Sequence, residues 1–151
     1  MTTLAQTLVQ AQIAELIPHS GTMCLLQALD AWDPRHIVCR ADNHRDPHNP
    51  LRTRSGLLAA NAIEYAAQAM ALHGALIGIE NGVPATPGYL ASTRAVQLHR
   101  LRLDDLPQEL HITATRQAGD ARQVLYAFTV SHAGEPVAEG RAAVVLNTPI
   151  A

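Results

Sequence analysis

The sequence predicts an α+β fold in which a mostly antiparallel sheet of about six strands curls around one long helix. Three observations predict it. From Leu57 to Ile77 there is no proline, one late glycine (Gly74) and one charged residue, Glu64, in a stretch dominated by alanine, leucine and methionine. Further on, Leu110, Ile112 and Ala114 alternate with His111, Thr113 and Thr115, the period of a strand with one buried face. Gly119-Asp120 and Gly134-Glu135 punctuate such runs at hairpin spacing.

Taken in order, Thr3 to Ile13 is predicted as a short helix, with Leu4, Leu8 and Ala11 on one side. Pro18 closes that region. Met23 to Trp32 and His36 to Ala41 form two strands around the Asp33-Pro34-Arg35 turn. Asn43 to Ser55 is polar and holds Pro47 and Pro50, so it is a loop. The helix from Leu57 to Ile77 is apolar on nearly every side and must be buried all round. Its length approaches a membrane span, but Asn61, Glu64, Gln68 and His73 would each be costly in lipid, so a protein interior is expected and no membrane. After a loop with Gly82, Pro84, Pro87 and Gly88 the chain returns to sheet: Tyr89 to Leu103, then the run at Leu110, then Tyr126-Phe128-Val130, then Val137 to Leu146. With 151 residues, the whole of 1–151 reads as a single domain.

Composition narrows the function. A net charge of -2 and 3% aromatic residues supply neither the basic face nor the stacking platforms that nucleic acid requires. All 11 basic residues are arginine, which removes Schiff-base chemistry and the phosphate-loop lysine. Cys24 and Cys39 are too few for a disulfide framework and read as small core residues with free thiols. The N-terminal residues lack a basic stretch ahead of an apolar run, so no signal peptide is expected and the setting is a reducing cytoplasm. Neither a nucleotide-binding glycine string nor a GxSxG elbow occurs.

The residues able to do chemistry gather in two places. Asn61, Glu64, Tyr65 and Gln68 stand at i, i+3, i+4 and i+7 on one helix face. A lone carboxylate there is a working acid, a partly exposed helix residue, or a staple bonded to Gln68 that holds the core together. The preceding loop carries His44 and His48, with Arg45, Asp46, Arg52 and Arg54 close by. An imidazole suits general base work, and a carboxylate from a separate element would complete an acid–base pair. His44 and His48 have i,i+4 spacing, but Pro47 lies between them and no third ligand is evident, so no metal is expected. His19, His36, His73, His99, His111 and His132 are scattered and taken as structural.

Two strings resemble a known family. Leu16-Ile17-Pro18-His19-Ser20-Gly21-Thr22-Met23-Cys24-Leu25-Leu26 is similar to the LPHR-x-P-F-LL opening of 3-hydroxyacyl-acyl-carrier-protein dehydratases, and Ile63-Glu64-Tyr65-Ala66-Ala67-Gln68 to their helical E-A-M-A-Q. With His44-Arg45-Asp46-Pro47-His48-Asn49-Pro50-Leu51-Arg52, the chain resembles the dehydratase-like branch of aryl-polyene pigment gene clusters. The resemblance implies a hotdog fold, no cofactor, and a site shared between two subunits, a loop histidine from one meeting a helix carboxylate from the other. It implies Glu64 as acid and His44 as base, with His48 nearer the family's spacing. His48, Gly56, Asn61 and Gln68 would line the substrate site, backbone N–H groups near Gly56 or Ala62 polarising the thioester carbonyl. The implied reaction removes water from a 3-hydroxyacyl thioester in fatty-acid or aryl-polyene type biosynthesis. The implied partners are an acyl carrier protein, docked by Arg52, Arg54, Arg94, Arg100 and Arg102, and a second subunit in a homodimer, a dimer of dimers, or a heterodimer with a hotdog paralogue. A thioesterase on the same scaffold and a non-catalytic partner subunit are the alternatives.

Overall fold

Each strand of the sheet finds its neighbours in antiparallel register, in the order β1-β2-β3-β5-β6-β7-β4. In this computed structural model, residues 7–19, 21–82, 88–120 and 122–146 are described. The elements are β1 (Leu8–Val9), α1 (Gln10–Ala14), β2 (Ala28–Trp32), β3 (His36–Ala41), α2 (Ala62–Glu80), β4 (Gly88–Leu98), β5 (Leu110–Gly119), β6 (Gln123–His132) and β7 (Glu135–Leu146). The α+β class is as the sequence predicts, with seven strands rather than six among the described residues.

The alternation at β5 does what its period requires. Leu110, Ile112 and Ala114 are fully buried, whereas His111, Thr113 and Thr115 are half-buried on the other face. Tyr126, Phe128 and Val130 of β6 continue the buried layer, and α2 lays Ala62, Tyr65, Ala66, Ala69, Met70 and Leu72 against the core. Cys24 and Cys39 are both buried and free, and burial pushes the Cys39 thiol up to about 12. None of the described helices is long and apolar enough to cross a membrane.

Element boundaries differ from the sequence reading where backbone groups find partners elsewhere. Within the segment expected as one helix from Thr3 to Ile13, Leu8 pairs with Leu29 and Val9 with Ala28, leaving a helix only at Gln10–Ala14; residues 3–6 lie outside the described residues. A helix that short is marginal alone, so the ladder prevails. The strand expected from Met23 starts at Ala28, because the backbone at 23 and 25 is bonded to the Gln68 side chain instead. The long helix starts at Ala62 rather than Leu57: the Leu57 carbonyl accepts from Leu103 N–H at 2.7 Å and Ala59 N–H donates to the Leu101 carbonyl at 3.1 Å. Its far end runs to Glu80, where Asn81 and Gly82 (φ 73°) close it. The fourth strand stops at Leu98, short of Leu103. Pro84 and Pro87 lie outside the described residues.

Within one chain the cover of α2 is incomplete. Ala67, Ala71, Gly74, Ile77 and Gly78 keep partial exposure. The neighbouring edge strand, β4, has no buried residue along its eleven positions, and Tyr89 is 63% exposed.

Candidate active site

Four polar side chains on the first turns of α2 have separate fates. Asn61 spends its amide on the Leu58 carbonyl at 3.1 Å. Tyr65 is fully buried; its hydroxyl donates to Asn43 Oδ1 at 2.7 Å and accepts from Asn49 Nδ2 at 3.1 Å, tying the histidine loop to the helix. Burial pushes that phenol up to about 12. Gln68 is fully buried too. Its Nε2 donates to the Met23 carbonyl and its Oε1 accepts from Leu25 N–H, both at 2.8 Å. The fourth, Glu64, lies in the first turn, where the helix dipole favours an acidic side chain.

Glu64 faces an imidazole that sequence reasoning set aside as structural. His19 Nε2 stands 3.2 Å from Glu64 Oε1, both side chains partly exposed, at 25% and 35%. Gln68 Nε2 approaches the same oxygen at 3.5 Å. Among the described residues Glu64 Oε2 has no hydrogen-bond partner, and His19 Nδ1 is buried without one. The signal for His19 was present in the Pro18-His19 string of the family opening, but nothing in its spacing pointed at Glu64, forty-odd positions away.

The pair opens into a cavity of about 290 Å³ walled by Ala67, Ala71, Gly88, Leu90 and Val144, among others. A second cavity of about 460 Å³ shares Ala71, Gly88 and Val144 with it and follows α2 past Gly74 to Gly78. Gly88 has to be glycine here, since a Cβ would come within 2.9 Å of the Val144 side chain. The arrangement is a carboxylate and an imidazole at the head of a mostly apolar channel.

Residues 11–150 match the ApeP-like family, described as ApeP dehydratase. The chain belongs to that family. No curated protein matches it. Of solved structures, the dehydratase heterocomplex ApeI:P from Xenorhabdus doucetiae superimposes with a TM-score of 0.81 at 22% identity, over 90% of this chain and 91% of that one. A mutant thioesterase from Pseudomonas aeruginosa gives 0.66 at 15% identity, over 95% and 98%. AziG from S. sahachiroi gives 0.57 at 14%, over 80% and 90%. At such identities the likenesses establish the hotdog fold.

In this ApeP-like chain the other sequence-derived candidates have been put to different uses. His44 has no exposed surface, and its Nε2–H donates to the Leu106 carbonyl at 2.9 Å. Desolvation holds this imidazole below its ordinary value, and its Nδ1 is buried without a partner. His44 therefore bolts the loop to the 103–106 turn and makes no contact with Glu64 within the chain. His48 is exposed, on a turn held by its N–H to Asp46 Oδ1 at 2.8 Å.

Gly56 and Gln68 are likewise engaged within the chain. The N–H of Gly56 already donates to the Thr53 carbonyl at 2.9 Å, and Ala62 N–H to the carbonyls of Ala59 and Ala60, so neither is free for a thioester oxygen. Gly56 is needed for another reason: its φ is 89°, and a Cβ would collide with the Arg102 guanidinium and the Asp104 carboxylate. Those two groups form a close pair at 2.7 Å, and the Arg102 hydrogen bond holds Asp104 down at about 2. Gln68 has both ends of its amide committed to backbone, and Asn61 has one amide donor committed to the Leu58 carbonyl.

Proposed function

We propose that this chain is a dehydratase of 3-hydroxyacyl thioesters carried by an acyl carrier protein, working in a pathway of the fatty-acid or aryl-polyene type. The observation that carries this reading is the one unpaired oxygen of Glu64, set at the head of a channel apolar enough for an acyl chain. A histidine base takes the proton from the carbon next to the thioester carbonyl. The bond between carbon 3 and its hydroxyl breaks as Glu64 gives its proton to the departing oxygen. The products are a trans-2-enoyl thioester and water, and proton transfer alone suffices, with no metal or cofactor.

The base in this reading comes from a facing subunit. His44, the base first favoured, is sealed inside its own chain; His48 is the loop histidine whose side chain is exposed to reach outward. An edge strand beside the channel, paired on one side only and with no buried residue, supports a second hotdog chain docking along β4. That chain is a second copy or a hotdog paralogue, as in the ApeI:P heterocomplex of the Xenorhabdus relative.

The test is Glu64→Gln, assayed for interconversion of 3-hydroxyacyl and enoyl thioesters. Gln keeps volume and hydrogen bonding but cannot give the proton, so the rate should fall by about 10²–10⁴-fold with an unchanged melting temperature. A shifted melting temperature with an intact rate would make Glu64 a staple. Release of free acid by the unmutated chain would make it a thioesterase, and activity that depends wholly on a second chain's own carboxylate would make it a non-catalytic partner.

A further inference from the structure

Among the described residues the ring of His19 makes one polar contact, and it is with Glu64. The segment that carries it is fixed on both sides. Before it, Ile17 is buried and Leu16 N–H donates to the Ile13 carbonyl at 2.9 Å. After it, Gln68 grips the backbone at Met23 and Leu25, and Gln10 Nε2 donates to the Cys24 carbonyl at 2.8 Å. The position of the imidazole is thus dictated by the helix that carries the carboxylate.

A carboxylate has no proton to give on the side it accepts from, so the bond runs from His19 Nε2–H to Oε1. The Nδ1 lone pair is then the buried atom without a partner, an arrangement that costs stability and gains nothing structural. With Oε1 held by His19 and approached by Gln68, the carboxyl group cannot turn freely. Oε2 is left as the oxygen presented to the cavity.

We infer that His19 is a positioning residue for Glu64, supplied by the same chain: it fixes which carboxyl oxygen meets the substrate, and its N–H stabilises the carboxylate left once the proton has gone to the departing hydroxyl. This rests on the dehydratase reading and adds to it a histidine distinct from the base. The ring does not itself exchange a proton with substrate, because Nε2 is occupied by Glu64 and Nδ1 is sealed from the cavity.

The experiment compares His19→Gln with His19→Ala, each in the assembly in which the unmutated chain is active. Gln can place an amide N–H near the position of Nε2. It should keep the rate within about tenfold, whereas Ala should lower kcat by about 10²-fold, the scale of a misplaced reacting group, with KM little changed. Equal loss in both variants would make His19 a proton-transfer residue and overturn the positioning role. Unchanged turnover in His19→Ala would remove any role, and a KM effect alone would make it a substrate contact. A second measurement uses the free chain: the ¹⁵N resonance of His19 Nε2 should move on Glu64→Gln, while that of His73 stays. No movement overturns the inference even if dehydration is confirmed. Movement in a chain that never dehydrates any 3-hydroxyacyl thioester keeps the pair but ends the catalytic role along with the reading it rests on.

Discussion

Gln68 and Leu25, 43 positions apart in sequence, meet in a 2.8 Å hydrogen bond from the Leu25 N–H to the side-chain oxygen. The same amide donates to the Met23 carbonyl, so a single side chain closes two backbone groups of an irregular segment. Substituting it strands the Leu25 N–H in a buried place, at about 1–3 kcal/mol, and leaves the Met23 carbonyl without its partner in a part-buried one. Gln68→Ala should therefore cost about 3 kcal/mol in urea unfolding and lower turnover as well, since His19 stands four residues ahead of Met23. A variant with native stability would show that water or the facing chain satisfies those groups instead.

How much of this was legible follows from what each signal consists of. Period-two alternation is a property of neighbours in sequence, so the strands at Leu110 and Tyr126 were readable, as was the polar face at Asn61, Glu64, Tyr65 and Gln68. Asn61 bonds locally to Leu58, but what Glu64, Tyr65 and Gln68 bond to lies on chain segments 16 to 45 positions away, and spacing carries no such information. Glu64 was found because a lone charge in an apolar helix is anomalous by composition. His19 was missed because its partner is chosen by the fold. His44 was favoured because it follows a strand, yet the same rigidity buries it against Leu106.

Two buried imidazoles should make the fold acid-sensitive. His44 and His73 are fully buried, and desolvation holds both below the ordinary value of 6.5. His73 Nε2–H donates to the Asp33 carbonyl and its Nδ1 accepts from the Tyr126 hydroxyl, each at 2.7 Å, an arrangement only the neutral ring completes. A histidine with a depressed folded value contributes stability that is complete above its unfolded value and is lost as pH falls through the folded one. The urea midpoint should hold from pH 8 to 7 and fall progressively below about 6.5. His44→Asn should be less stable at pH 8 but show a shallower decline in acid. A midpoint independent of pH between 7 and 5 would refute the assignment of neutral buried rings.

The open edge at β4 predicts assembly. Its eleven residues have no strand on their outer side among the described residues, Leu98 is 46% exposed and Leu101 just beyond it 90%. Exposed edges of this length invite another strand, and charges blunt them. Light scattering at micromolar concentration should give a dimer or larger for the chain alone or with a hotdog paralogue. Leu98→Lys with Leu101→Lys should shift it toward monomer and take activity with it. A monodisperse, active monomer would rule out the shared site and leave the base to be found within one chain.

Carrier docking, finally, should depend on fewer arginines than the sequence suggested and on one it did not name. Arg52 and Arg102 are both drawn to Asp104, at 3.5 and 2.7 Å, so their charge is already spent. Arg100 turns to the His99 carbonyl. Arg94 on β4 and Arg141 on β7 are cross-strand partners, and among the described residues neither has a carboxylate opposite it. Two like charges facing each other across a ladder destabilise it, and an acidic surface would relieve them. Arg94 also lies on the strand whose first residues line the Glu64 cavity, and Arg141 pairs with it from β7, so a carrier bound there is beside the entrance its thioester needs. Replacing both with Gln should raise KM for an acyl-carrier substrate by about tenfold and flatten its salt dependence. It should leave a soluble pantetheine thioester unaffected and raise the melting temperature slightly. Equal effects on the two substrates would place these arginines in the catalytic site rather than in docking, and no effect on either would return carrier recognition to Arg54 and the facing chain.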